Sequence, residues 1–203
     1  MLRNNKGDDY LQLNDIINHC RMGDLECFEE LYKLYYNKAY GTAYIISGQK
    51  NIAEDIVQEA FIICYRSIKH IKNPQTFNTW FYRIVVRASW RITKKQKNSY
   101  VESFSANLDC GDPVKSNEYN PFDLITGKLL IRQKIQTLKL PLKTVLILYY
   151  YNDMSVKEIS KVLDCFEGTV KSRLFKARKI LKKELSSYYE DVGKSLDLME
   201  GEA

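Results

Sequence analysis

The sequence predicts an all-α protein made of two small helical domains joined by a flexible acidic linker. Helix breakers are scarce, with 9 Gly and 4 Pro in 203 residues. Apolar residues recur at helical spacing before about residue 97 and again after residue 128. Between these stretches, residues 98–127 lose the period and collect turn formers. There Glu102, Asp109, Asp112, Glu118 and Asp123 face Lys115 alone. The expected domains are therefore 1–97 and 128–186, with 98–127 as linker and 187–203 as an acidic tail.

Four helices are expected in the first half. The first runs from about Tyr10 to Arg21 and stops at Gly23-Asp24. The second begins near Cys27 and carries Phe28, Leu31, Tyr35, Ala39 and Thr42 or Ala43 on one face. Asn51 and Glu54 have capping-box spacing at the start of the third. Its stripe is Ile56, Val57, Ala60, Phe61, Cys64, Tyr65 and Ile68. The fourth follows Asn73-Pro74, carries Phe77, Trp80, Phe81, Ile84, Val85 and Ala88, and ends in Arg91, Lys94, Lys95 and Lys97.

The second half resumes at Leu129–Leu138, followed by Leu140-Pro141 and an apolar helix from Leu142 to about Tyr151. Ser155 and Glu158 have capping-box spacing for a short helix through Leu163. A last helix is expected from about Gly168 to Leu185, with a frayed end from Ser186 onward.

Charge narrows the function. The formal net charge is +6, which matters only where it is concentrated enough to displace the counterions of a nucleic acid. From Lys171 to Lys183 there is no acid, and Lys171, Arg173, Lys176, Arg178, Lys179, Lys182 and Lys183 fall mostly off the stripe of Val170, Leu174, Ala177 and Leu181. With the short helix before it, this reads as a helix-turn-helix whose second helix can enter a major groove.

Five cysteines are scattered without a Cys-x-x-Cys pair, and His19 and His70 do not sit at metal-ligand spacing. No metal, cofactor or small-molecule substrate is expected, and the cysteines read as small hydrophobes in a reducing compartment. Met1 to Tyr10 is polar and charged, and no apolar run approaches ~20 residues. Neither a signal peptide nor a membrane span is expected, which places the chain in the cytoplasm.

Gly168-Thr169-Val170-Lys171-Ser172-Arg173-Leu174-Phe175-Lys176-Ala177-Arg178 closely resembles region 4 of the extracytoplasmic-function branch of the sigma-70 family. So does Leu140-Pro141 with the Val145-Leu146-x-Leu148-x-Tyr150 helix. In that family this domain reads the −35 promoter element. The resemblance implies contacts to that element from Lys171, Ser172, Arg173, Phe175, Lys176 and Arg178.

In the first half, Ala53-Glu54-Asp55-x-x-Gln58-Glu59-x-Phe61 resembles region 2.2, the polymerase-binding helix of the same family. It implies core-polymerase binding by Asp55, Gln58, Glu59 and Phe61. Thr79-Trp80-Phe81-Tyr82-Arg83-Ile84 resembles the helix that opens and reads the −10 element. Melted bases can stack on aromatic rings for ~1–3 kcal/mol each. The resemblance implies −10 contacts from Asn73, Phe77, Asn78, Arg83, Arg87, Trp90 and Arg91, with the Lys72–Phe77 loop supplying a base pocket. Trp80, Phe81 and Ile84 read as core.

The family likeness implies three partners: core RNA polymerase, promoter DNA and an anti-sigma factor, often membrane-bound. It also implies a non-enzymatic role. The Asn73-Pro74-x-Thr76 loop is similar to that of an envelope-stress subgroup. Several positions depart from the common pattern: Arg87, Arg91, Ser160, and Asp164, Cys165 and Phe166 in the turn. Asp tolerates the left-handed turn conformation less easily than Gly, and Phe166 has no capping oxygen.

Two other functions compete. A stand-alone helix-turn-helix regulator explains Thr169–Arg178 but leaves the Asp55–Phe61 block and the linker unexplained. A DNA-processing enzyme lacks any carboxylate or histidine cluster in the sequence pattern.

Overall fold

The computed structural model describes residues 6–106 and 128–200, with side chains described over 13–95 and 130–186. Among these residues there are eight α-helices and no strand. The order is α1 (Lys6–Arg21), α2 (Leu25–Ser47), α3 (Lys50–Ser67), α4 (Phe77–Ala106), α5 (Lys128–Thr137), α6 (Leu140–Tyr150), α7 (Val156–Leu163) and α8 (Glu167–Glu200). Two 3-10 turns, Ile68–His70 and Pro74–Thr76, link α3 to α4.

The α1–α2 junction is set by Gly23, whose φ of 93° is open to glycine at little steric cost. The Gly23 amide donates to the Cys20 carbonyl (3.1 Å) and the Asp24 amide to the His19 carbonyl (3.2 Å), a Schellman closure of α1. Asp24 then caps α2, its side chain accepting from the Cys27 amide at 3.0 Å. Hydrogen bonding to Cys27 holds the Asp24 carboxyl below its usual range.

The expected Asn51–Glu54 capping box does not form. Gly48, at φ 82°, ends α2 in the left-handed conformation, and α3 opens at once behind Gln49 without a side-chain cap. The chain turns within two residues, so Asn51 already lies inside the helix. Helix α4 runs on to Ala106, past the boundary expected near residue 97, and α8 runs to Glu200 instead of stopping near Leu185. The rest of the expected linker, 107–127, lies outside the described residues.

The core of the first half is where the period places it. Leu31, Ala39, Thr42 and Ala43 of α2 meet Ile56, Val57, Ala60, Phe61 and Cys64 of α3 and Phe77, Phe81 and Val85 of α4. Trp80 and Ile84, expected as core, are only half-buried. Burial pushes the Cys64 and Cys20 thiols up to about 12, the signature of a packed, unreactive thiol.

In the second half the Ser155–Glu158 capping box is present. The Glu158 amide donates to Ser155 Oγ (3.2 Å) and the Ser155 amide to Glu158 Oε2 (2.8 Å). Asp164 takes the left-handed conformation at φ 52° in the turn. Phe166 starts α8 with its backbone carbonyl alone, accepting from the Thr169 (2.9 Å) and Val170 (3.2 Å) amides. Helix α6 is buried all round from Leu142 to Leu148, because it packs on α7 and α8 on one side and α2 on the other.

The two halves dock. Helix α4 packs on α7, and α2 packs on α5 and α6, so their buried side chains form one continuous cluster. A Cβ at Gly41 would overlap the Tyr151 hydroxyl, so glycine there lets Tyr151 lie against α2.

Candidate nucleic-acid and polymerase interfaces

A groove of about 770 Å³ lies between α2 and α3, lined by Phe28, Tyr32, Phe61, Ile62 and Tyr65, with Glu54 and Gln58 at its edge. Tyr32, Ile62 and Tyr65 are exposed, a cluster that monomeric surfaces seldom leave open without use. Tyr32, Tyr36, Tyr40 and Tyr44 form a ladder along α2, with successive ring centroids 5.1, 6.1 and 6.0 Å apart. Asp55 and Gln58 are exposed on α3, and Phe61 is buried as the floor of the groove. Glu59 is half-buried and ion-paired with Arg91 of α4, so two residues expected in different interfaces hold each other.

The loop before α4 is built by Asn73. Its side chain accepts from the Gln75 amide (2.9 Å) and its carbonyl from the Thr76 hydroxyl (2.7 Å). Asn73 therefore shapes the loop while remaining exposed. Phe77 is 1% exposed and packs on Tyr35, Trp80 and Phe81. It stands behind the loop, in the core, where no base can reach it in this arrangement. Asn78 lines a cavity of about 700 Å³ with Tyr82 and Lys38 of the first half and Asn152 and Glu158 of the second.

Further along α4, Arg83 donates to the Lys161 carbonyl in α7, Nε at 3.1 Å. Trp90 Nε1 donates to Thr144 Oγ1 of α6 at 3.0 Å. Arg87 and Arg91 are exposed. Arg83 and Trp90, read from the sequence as DNA-facing, are thus engaged with the second half.

Helix α8 buries Val170, Leu174 and Ala177 and exposes Lys171, Ser172, Phe175 and Lys176, with Arg173 half-buried. Phe175 is 70% exposed, an unusual place for a large aromatic side chain. The Ser172 hydroxyl donates back to the Thr169 carbonyl at 3.0 Å. Arg178 donates from Nε to Tyr150 Oη (2.8 Å) and lies 5.4 Å from the ring centroids of Tyr149 and Tyr150. That clamp ties α8 to α6.

Sequence reasoning missed the seam between the halves. Thr42 and Asn152 are both buried, with Asn152 Nδ2 donating to Thr42 Oγ1 at 2.9 Å. Lys143, buried in α6, donates to Gln136 Oε1 (2.6 Å) and the Ile46 carbonyl (3.4 Å). Gln136 Nε2 reaches the Ile45 carbonyl at 2.8 Å, and Arg132 lies 4.1 Å from the Tyr44 ring centroid. Lys38 pairs with Asp153 at 3.3 Å. One available signal was Lys143 itself, a lone charge inside an otherwise apolar helix.

Residues 31–98 match the family described as Sigma-70 region 2, and residues 128–181 match Sigma-70, region 4. The ECF RNA polymerase sigma factor SigW of Bacillus subtilis is 33% identical over 176 residues, covering 83% of this chain and 94% of SigW. The chain belongs to the extracytoplasmic-function sigma factors of the sigma-70 family. It is an alternative RNA polymerase sigma factor, of the class that directs promoter-specific initiation. The ECF RNA polymerase sigma-E factor of Escherichia coli K12 is 30% identical over 182 residues, 84% of this sigma factor and 93% of the relative. Among solved structures, CnrH in complex with the cytosolic domain of CnrY shares the fold at a TM-score of 0.65 and 16% identity, covering 86% of this chain and 97% of that one. The sigma factor RpoE in complex with the anti-sigma factor NepR, from Bartonella quintana, does so at 0.61 and 18%, covering 78% and 96%. No described helix of this sigma factor is long and apolar enough to cross a membrane.

Proposed function

We propose that the first half, residues 1–97, binds core RNA polymerase and opens the −10 element, and that the second, 128–186, grips the −35 element. The observation that carries this division is α8. Lys171, Ser172, Phe175 and Lys176 stand exposed opposite the buried row of Val170, Leu174 and Ala177. Such a helix presents its first turns to base edges while later cations meet phosphates.

Asp55 and Gln58 beside the apolar groove offer polymerase a mixed acidic and aromatic surface, with Glu59 and Phe61 supporting it from within. Asn73 in the loop before α4, with Asn78, Arg83, Arg87, Trp90 and Arg91 on α4, serves the −10 strand, and Phe77 backs the loop. The factor acts in the cytoplasm, as a partner of polymerase and not as an enzyme. An anti-sigma factor occupies the same polymerase-binding surface.

The two promoter elements lie about two helical turns apart, ~70 Å. Helices α4 and α7 in direct contact cannot meet both at once. The docked arrangement is therefore a closed form, and Arg83 and Trp90 become available to DNA when the halves separate. Residues 98–127 would then join the separated halves, with 187–203 as a tail.

Run-off transcription with core polymerase and a promoter library tests the reading. The chain should redirect polymerase to a defined set of promoters. Tight DNA binding by the chain alone, with polymerase selectivity unchanged, would instead make it a stand-alone regulator.

A further inference from the structure

The fold brings together three side chains of different chemistry at the junction of α1 and α2. The Schellman turn bonds the Asp24 amide to the His19 carbonyl at 3.2 Å, so the two side chains leave the backbone side by side. His19 Nδ1 and Asp24 Oδ2 are 3.9 Å apart. Cys27, on the first turn of α2, places its Sγ so that all three ligand atoms lie within 4.8 Å of one another. Asp24 uses Oδ1 to cap α2, which leaves Oδ2 turned toward His19. None of the three residues belongs to the surfaces described above.

A tetrahedral zinc ion bonds nitrogen and oxygen at about 2.0–2.2 Å and sulfur at about 2.3 Å, which puts its ligand atoms roughly 3.3–3.7 Å apart. The His19–Asp24 separation of 3.9 Å exceeds this by a few tenths of an ångström, and with all three atoms within 4.8 Å of one another side-chain rotations of at most about 1.5 Å close the set. An imidazole, a thiolate and a carboxylate suit a borderline ion such as Zn²⁺ and not Mg²⁺ or Ca²⁺, which favour all-oxygen sites. His19 and Asp24 are solvent-accessible and Cys27 is half-buried, which leaves an entry path.

We propose that His19, Asp24 and Cys27 form a three-ligand site for a zinc-class divalent cation, its fourth position taken by water. Binding replaces the thiol proton of Cys27 with the metal and releases that proton to solvent. The ion would fasten α1 to α2. Because α1 also packs on both 3-10 turns, it would brace the loop that begins at Asn73.

The test uses the full chain, reduced, with two probes: Zn²⁺ in competition with a chromophoric chelator, and Co²⁺ followed by absorbance. One equivalent of Co²⁺ should give tetrahedral d–d bands and a thiolate-to-cobalt charge-transfer band. Cys27→Ser should remove the charge-transfer band, and His19→Ala should weaken Zn²⁺ binding on the order of 100-fold. Cys165→Ser, in the other half, should change neither. Circular dichroism verifies that the variants remain folded. Failure to bind one equivalent against the chelator would overturn the proposal, leaving His19 and Asp24 as a plain surface pair. So would a charge-transfer band that survives Cys27→Ser, or Zn²⁺ affinity unchanged in His19→Ala. Promoter-selective transcription by the metal-free protein would leave the sigma reading standing whatever the metal result.

Discussion

Replacing Thr42 by valine removes one hydroxyl from the seam between the halves and almost nothing else. Thr42 is fully buried on α2, and its Oγ1 accepts from Asn152 Nδ2 at 2.9 Å. It also donates to the Lys38 carbonyl within its own helix, a bond present whether or not the halves are docked. In the variant the Asn152 amide keeps only the Ile147 carbonyl at 3.5 Å, at the limit of a hydrogen bond. A buried polar group left unsatisfied costs about 1–3 kcal/mol, and Asn152 recovers water as soon as the seam opens. The whole penalty therefore falls on the closed form, shifting the closed-to-open ratio by roughly 5- to 150-fold. Small-angle scattering should report a larger radius of gyration for Thr42→Val. Amide exchange should accelerate along Leu148–Met154. Adding Asn152→Leu removes the stranded amide, and the double variant should close more than the single-variant effects sum to. An unchanged radius and exchange pattern in Thr42→Val, or strict additivity in the cycle, would refute the reasoning.

Three further outcomes follow from the same geometry. Gln58→Ala should weaken core-polymerase binding while leaving the affinity of the chain for −35 DNA intact, as measured by parallel titrations; equal loss of both would remove the division of labour. Arg173→Ala should reduce discrimination among −35 sequences by ~1–3 kcal/mol if it reads a base, whereas uniform weakening across sequences in a binding array would make it a phosphate contact. The Cys64 thiol is raised from 9.0 to about 12 by burial. The unfolded chain therefore loses that proton first, and stability drops between pH 9 and 12 by ~1.4 kcal/mol per pH unit at most. Chemical denaturation of Cys64→Ala should show a shallower alkaline loss than the parent, and parallel curves would exclude burial as the cause.

Local signals in the sequence found most of the helices. The stripes of α2, α3 and α4, the Ser155–Glu158 box and the left-handed Asp164 are each encoded within a few residues, where period and capping act. The Asn51 box failed because Gly48 had already ended α2 and forced α3 to begin earlier. The far ends of α4 and α8 were missed because polar stretches can continue a helix without an apolar stripe to announce it.

For the candidate site, residue types were legible and residue surroundings were not. Phe77 and Arg83 carry the right chemistry for DNA, but neighbours remote in sequence decide that one is core and the other is bonded to Lys161. Thr42 and Asn152 are 110 positions apart, with no period or motif linking them. The nearness of Cys27 to His19 and Asp24 was likewise invisible until the turn at Gly23 brought α2 back beside α1.

The seam joins two parts of one polypeptide, and this changes how strong it must be. Tethered surfaces meet at an effective concentration on the order of mM. Contacts too weak to hold separate proteins together can keep this chain shut. On the closed form proposed above, opening is a competition in which polymerase and promoter together outweigh that local concentration. A modest loss at Thr42 or Asn152 lowers the threshold for every promoter at once, without altering which promoter is preferred.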